Sequence, residues 1–291
     1  MHLYLPLMSP IIGHPLLHGM SHGLDFLSPH VLAWFFGLPI TYLFLAGLFR
    51  SLGWWNFRLK VMKNKKLQES TTRASDDMAF EIVAGFCVTY LAVAGFVGRY
   101  NLFGVDEYRR LEKDPFFGES EFVRNHLSTP MIFYQLWNVV LCTQLEVLND
   151  MAMFGHHLVA ASLAYLSLSP YMQGFAFFFL GIVEITSIPL TLYDVCKKFS
   201  FKDGIVFAIA QGTFASSFIY IRLIVWFGWC LPFWVGSIDI LRTGKAHNSA
   251  IVVYFLLSNV FMTGLQLFWG QQIIEGLLKL LGFMKERRGG K

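Results

Sequence analysis

The sequence predicts an all-α, multi-pass transmembrane bundle of about seven helices, with about six to eight as the range. Three observations carry this. Of the 291 residues, 55% are hydrophobic and only 14% charged, whereas a soluble domain carries about 25% charged residues. Apolar runs near the roughly 20 residues needed to cross about 30 Å of hydrocarbon recur along the chain. Lys and Arg gather in the connections between those runs rather than along one face. A soluble core could not hide so many apolar side chains, and the mean hydropathy of +0.51 agrees. A soluble enzyme, a secreted disulfide scaffold and a nucleic-acid-binding module are therefore excluded. The formal charge of +4 is small, and Cys87, Cys142, Cys196 and Cys230 lie far apart with no Cys-x-x-Cys pair, so they read as structural. The 30 Phe suit lipid contact and also a tunnel for a long acyl chain.

The first apolar run extends from Val31 to Leu48 and the second from Phe80 to Val97. The third spans about Pro130 to Val147, interrupted by Gln135, Asn138 and Gln144. The fourth covers Met151 to Leu168, ended by Ser169 and Pro170. The fifth runs from about Gly174 to Val195 with Pro189 inside it, the sixth from Ile205 to Phe227 and the seventh from Ala250 to Phe268. In lipid the backbone must satisfy its own hydrogen bonds, so each run is expected to be a helix.

Residues 1–76 form an N-terminal segment with the first span and a basic loop, 77–283 the main transmembrane domain, and 284–291 a basic tail. With the N-terminus outside and the C-terminus in the cytosol, Lys and Arg favour the inner connections roughly two to one, chiefly through the cluster from Arg50 to Arg73. The first 30 residues contain no Lys or Arg, so no cleaved leader is expected. No Asn-x-Ser/Thr sequon occurs.

Chemistry is sought among polar groups placed where lipid makes them costly. Asp150 stands at the start of the fourth run after Asn149, followed by His156 and His157. On a helix Asp150 and His157 share a stripe and His156 is turned aside, with the imidazoles roughly 10 Å deeper than the carboxylate. Such imidazoles serve as base, nucleophile or interhelical hydrogen-bonding group; an adjacent pair does not aim both rings at one metal, and none is expected. In the fifth run Glu184 and Ser187 share a face, and Pro189 leaves the Ile185 carbonyl free, which predicts a kink and space across from the histidines. Arg222 in the sixth run needs a partner, for which Glu184 is the candidate, or it snorkels toward the outer end. Asn259 and Gln266 fall on one stripe of the seventh run, and Trp269 follows as a candidate interfacial anchor. His14, His18 and His22 recur every four residues, but Pro15 and Gly19 argue against a helical ligand stripe there.

The His156-His157 pair after an acid at a helix start, the Glu-x-x-Ser-x-Pro of the fifth run, Arg222 before Pro232, and Leu265-Gln266-Leu267-Phe268-Trp269 together resemble the TLC-domain family, which includes the ceramide synthases. The resemblance covers about Asp77 to Phe283 and implies a TLC-like lipid-handling helical bundle, commonly in the endoplasmic reticulum. It implies that His156 and His157 are the catalytic pair, with Asp150, Glu184, Ser187, Arg222 and Gln266 in support. Where the ceramide synthases carry an Asp-rich motif this chain has Glu184, Thr186, Ser187 and Pro189, which is more similar to the smaller TLC-domain-containing branch.

The chemistry so implied is N-acyl transfer from a fatty acyl-CoA to a sphingoid base, with no cofactor beyond acyl-CoA as co-substrate. One histidine would attack the thioester or act as general base. The expected partners are membrane lipids, including a long-chain acyl or sphingoid lipid, and a homo-oligomer or larger membrane complex. The alternative is a noncatalytic lipid-homeostasis protein or an accessory subunit of a membrane complex, which needs only the fold. A seven-helix receptor is set aside because no Asp-Arg-Tyr follows the third run and no Asn-Pro-x-x-Tyr occurs in the seventh.

Overall fold

The computed structural model describes residues 28–51, 67–145, 150–198 and 204–280. His14, His18 and His22, Asn149 and most of the basic loop after Arg50 lie outside the described residues. Among the described residues all regular structure is helical. Helix α1 is Pro29–Ser51, α2 Leu67–Arg99 and α3 the short Glu107–Glu112. Helix α4 is continuous through Glu121–Val123, a π-helical turn Arg124–Ser128 and Thr129–Cys142. Helix α5 is Met151–Leu166. Helix α6 joins Gln173–Ala176, Phe177–Gly181, Ile182–Thr186 and Ser187–Lys198. Helix α7 joins Ile205–Ser217, Phe218–Val225 and Trp226–Arg242, and α8 is Ser249–Leu280.

Pro29–Ser51, Ser75–Arg99, Gln173–Lys197, Ile205–Arg242 and Ser249–Lys279 are long and apolar enough to cross a membrane, and Met151–Leu166 is a shorter apolar helix. Small polar residues start several of the helices by accepting hydrogen bonds from otherwise unpaired N–H groups. Ser120 Oγ accepts from Val123 N at 3.0 Å, Asp150 Oδ1 from Ala152 N at 2.9 Å, and Asn248 Oδ1 from Ala250 N at 3.0 Å.

Several boundaries differ from the sequence-based expectation. Helix α4 begins well before Pro130, because Ser120 caps it early and the π-helical turn lets it run through the proline. Helix α7 continues past Phe227 and through Pro232 to Arg242, as transmembrane helices tolerate proline where neighbours absorb the freed backbone groups. Helix α8 continues beyond Phe268 as a polar extension in which the Gln271 amide donates to Glu275 at 2.9 Å. The irregularity expected at Pro189 lies upstream. A π turn at Phe177–Gly181 gives way to a 3-10 segment, Ile182–Thr186, and Pro189 sits within the regular helix that follows.

Around the molecule α2, α6, α7, α8, α5 and α4 pack successively into a ring that closes on α2, and α1 lies outside against α2 and α4. The α1 contact includes Trp34 on Tyr90, ring centroids 5.1 Å apart, and an ion pair between Arg50 and Asp76. The ring thus has an Asp150 end, which also carries Arg50 and Asp76, and an opposite Arg99 end. At the Arg99 end a strap covers the bundle: Phe116 O accepts from Met172 N at 2.7 Å and Pro115 O from Gly174 N at 3.1 Å. Fully buried Gln173 ties the turn beneath, donating to Ser167 O at 2.9 Å and Ser169 O at 3.1 Å while accepting from Ser120 N at 2.6 Å.

A close helix crossing lies between Gly95 on α2 and Gly181 on α6. A Cβ on Gly95 would lie 2.6 Å from the Gly181 Cα, and one on Gly181 would lie 2.5 Å from the Gly95 Cα. Backbones approach this closely only where both residues are small. Gly181→Ala is expected to destabilise the protein by at least about 1–3 kcal/mol, the usual range for overpacking, because the obstacle is backbone and cannot rotate away. Thermal unfolding in detergent checks this; an unchanged midpoint would contradict the crossing.

Candidate functional site

Helix α5 presents His156 and His157 two turns above the Asp150 cap. The two rings are 5.3 Å apart at 65°, so they share a site without stacking. His157 is only 5% exposed. Its Nδ1 lies 2.5 Å from Oε1 of Gln135 on α4, while the same amide donates to Met131 Sδ at 3.1 Å. A carbonyl oxygen can only accept, so that assignment gives neutral His157 its proton on Nδ1 and leaves the Nε2 lone pair free. Nε2 finds no hydrogen-bond partner among the described residues. His156 meets the Trp269 ring edge-on at 5.5 Å, and its Nδ1 is likewise without a partner. Trp269 therefore packs against the site as well as following Gln266 in sequence.

Opposite α5, the segment Ile182–Thr186 of α6 brings in Glu184, 7% exposed. One Glu184 oxygen accepts from Ser187 Oγ at 2.7 Å, and the other lies 3.7 Å from Nη2 of Arg222. Arg222 comes from the π-helical stretch of α7 and is 8% exposed, which settles its role: it pairs within the bundle rather than snorkelling. Nε donates to Thr186 Oγ1 at 2.6 Å, Nη1 to Gln266 Oε1 at 3.4 Å, and Nη2 to Val183 O and Ser187 Oγ, each at 3.3 Å. One guanidinium thus joins α6, α7 and α8. Gln266 is 1% exposed, and its Nε2 has no partner among the described residues.

Two cavities meet at these side chains. The larger, of about 500 Å³, is bordered toward the Asp150 end by Glu81, Asn138, Asp194 and Gln272, and at its base by His156, His157, Glu184 and Arg222. The second is a narrow bore of about 70 Å³ running toward the Arg99 end. His156, Gln135, Glu184, Arg222 and Gln266 border its start, and beyond them the lining is mainly apolar, with Asn259 and Ser167 as the polar exceptions. A roomy mouth of mixed polar and apolar lining, with its charged and imidazole groups at the base, leading into a slender and more apolar bore, suits an amphipathic ligand with its polar end at the junction.

The structure therefore gathers His156, His157, Glu184, Ser187, Arg222 and Gln266 around one junction. It does not bring Asp150 there: that carboxylate is exposed and spends an oxygen capping α5, where the N-terminal helix dipole favours it. Sequence reasoning treated Gln135 and Asn138 only as interruptions of the third run, and it missed Thr186 as an Arg222 partner. The available signal was Gln135 itself, a buried amide in an otherwise apolar helix that needs a polar partner.

Comparison with known proteins adds one match. A family model described as the TLC domain matches residues 77–275, well over half the chain. No curated protein and no solved structure matches.

Proposed function

Because the chain belongs to the TLC-domain family, and so is an integral membrane protein of a lipid-related family, we propose that it holds a long-chain lipid with its polar end at the two imidazoles and catalyses N-acyl transfer from acyl-CoA to a sphingoid base. The observation that carries this is buried His157, held by Gln135 with a partnerless Nε2 on the larger cavity, beside His156 and Gln135, which border both cavities. In the proposed reaction the acyl chain fills the bore and the thioester carbon lies at the junction. The sphingoid ammonium loses a proton to His157 Nε2, and the freed amine attacks the thioester carbon. Collapse of the tetrahedral intermediate breaks the C–S bond. The imidazolium then protonates the leaving thiolate, so amide, CoA thiol and one proton are the products. The bore excludes water that would otherwise hydrolyse the thioester.

Placing the mouth on the cytosolic side follows from the Lys and Arg bias, which puts the N-terminus outside or in the lumen and the C-terminus in the cytosol. That is where a soluble acyl-CoA would arrive. The endoplasmic reticulum is the membrane this reading assigns, with membrane lipids as surroundings and a homo-oligomer or larger complex as its assembly.

One observation favours the noncatalytic alternative, a lipid-homeostasis protein or accessory subunit. The Glu184 carboxylate is taken up by Arg222 and Ser187, and an amide rather than a carboxylate orients His157. The test compares membranes bearing the wild type and the His156→Ala/His157→Ala double variant for acyl-CoA-dependent N-acyl sphingoid base formation. Loss of product in the variant is expected; equal product from both removes the catalytic reading and leaves the lipid-holding one.

A further inference from the structure

We propose that the Gln266 amide donates a hydrogen bond to the carbonyl oxygen of a bound acyl group and so receives the negative charge which that oxygen takes on during transfer; this rests on the reading that the polar end of the lipid lies at the junction. The placement begins with helix spacing. Phe255, Asn259, Met262 and Gln266 recur every three or four residues on α8 and all border the bore, so Gln266 stands on the face of α8 turned to that space. At 1% exposed it is cut off from bulk water.

The chemistry of the two side chains decides which end of the amide is free. Arg222 carries donors only, and its Nη1 lies 3.4 Å from Gln266 Oε1, so the oxygen is the end that faces the guanidinium. Nε2 is then left with no partner among the described residues. A buried donor without an acceptor is costly, and one that persists in a cavity wall calls for a ligand. The guanidinium also polarises the amide through its oxygen, which makes the N–H the stronger donor.

Other polar groups around the bore are spent. Gln135 is divided between His157 and Met131, and Glu184 between Ser187 and Arg222. Ser167 Oγ meets Ser128 Oγ at 2.7 Å, and Asn259 Oδ1 accepts from Trp234 Nε1 at 2.8 Å. Among the buried side-chain N and O atoms of the described residues that border the bore, Gln266 Nε2 and His156 Nδ1 are the ones without a partner.

What fits there must accept a hydrogen bond and be small. An ammonium has no lone pair, so the amine partner belongs in the larger cavity, which His156 also borders. A carboxylate would meet Glu184 on the same cavity wall as a like charge. A carbonyl oxygen meets both demands, and about 70 Å³ admits it with a few neighbouring atoms, since a single water needs only about 10–15 Å³. When the amine attacks the carbonyl carbon, the C=O electron pair moves onto this oxygen, and it returns as the C–S bond breaks and the thiolate leaves. A donor already in place strengthens as that charge grows.

The experiment uses the full chain in phosphatidylcholine nanodiscs and a fatty acid methyl ester isotopically labelled at its carbonyl carbon, read by infrared difference spectroscopy. An alkoxide leaves far less readily than a thiolate, so the ester reports the site without turnover. In the wild type the labelled carbonyl band should gain a component at lower frequency than in empty nanodiscs, the mark of a hydrogen-bonded oxygen. Gln266→Met, which keeps the volume and removes the donor, should abolish it. Gln266→Glu keeps the shape and the Arg222 contact but donates nothing when ionised, and should abolish it too. With acyl-CoA and a sphingoid base, both variants should lose about 10²–10³-fold in kcat with KM little changed, the usual cost of one oxyanion donor. If the low-frequency component is missing from the wild type, or persists in both variants, the proposal is overturned and Gln266 Nε2 holds an internal water only. That component in the wild type and its loss in the variants, with no N-acyl product from any of them, leaves the carbonyl site standing and removes the transfer reading. Product at equal rates from all three, with the component unmoved, does the reverse.

Discussion

Replacing His157 with Ala is expected to lower acyl-CoA-dependent N-acylation by about 10²–10⁴-fold, the usual contribution of a positioned general base. The argument is geometric. His157 is the imidazole whose protonation pattern is set by a partner, since Gln135 Oε1 accepts from Nδ1 and so leaves the lone pair on Nε2, in a residue that borders the larger cavity. Gln135→Leu should keep the ring but release its tautomer, giving a smaller loss on the order of 10- to 100-fold, as for outer partners that orient a functional imidazole. His156 lacks such a fixed partner and packs against Trp269, so His156→Ala is expected to cost less than His157→Ala. The check is initial rates on equal amounts of folded protein, confirmed by unchanged unfolding midpoints. A His157→Ala rate within twofold of wild type would rule out the base assignment.

This hierarchy was only partly legible in the sequence. The helical class was, and each of the seven runs does hold a helix, but among the described residues only five helices are long and apolar enough to cross a membrane; α4 and α5 fall short. The pairing of the His-His helix with the Glu184 helix across one space was also legible, from counting turns inward from a shared end. What escaped was whatever depends on which helix neighbours which. Asp150 precedes the histidines by two turns and invites a role beside them, yet a carboxylate at a helix start is better used by the unpaired N–H groups there, and it caps α5. Gln135 weakens the third run as a span and strengthens it as half of a site, a judgement no single helix can decide. The π-helical stretches at Phe177–Gly181 and Phe218–Val225 leave no mark in an apolar pattern. Yet they lie directly beside Glu184 and within which Arg222 sits, where extra residues in a turn re-aim side chains.

Arg222→Met is expected to destabilise the protein by about 3–5 kcal/mol, the cost of stranding the other half of a buried pair. Arg222 and Glu184 are both more than nine-tenths buried, and the guanidinium satisfies Thr186, Gln266, Ser187 and the Val183 carbonyl together. Its removal would leave the carboxylate, among the described residues, with the Ser187 hydroxyl alone and would cut a side chain that joins α6, α7 and α8. Two further variants separate charge from geometry. Adding Glu184→Gln to Arg222→Met should recover part of the loss, because the stranded charge is gone. Arg222→Lys should recover little, because a single ammonium on a flexible stem cannot span the donors' fixed fork of acceptors. Unfolding in mixed micelles measures all three. If Arg222→Met unfolds within about 1 kcal/mol of wild type, the pair behaves like an exposed ion pair, and the junction must be wet enough to solvate Glu184 unaided. In that event the dry site on which thioester chemistry depends would be absent as well, so this stability measurement also bears on the reaction.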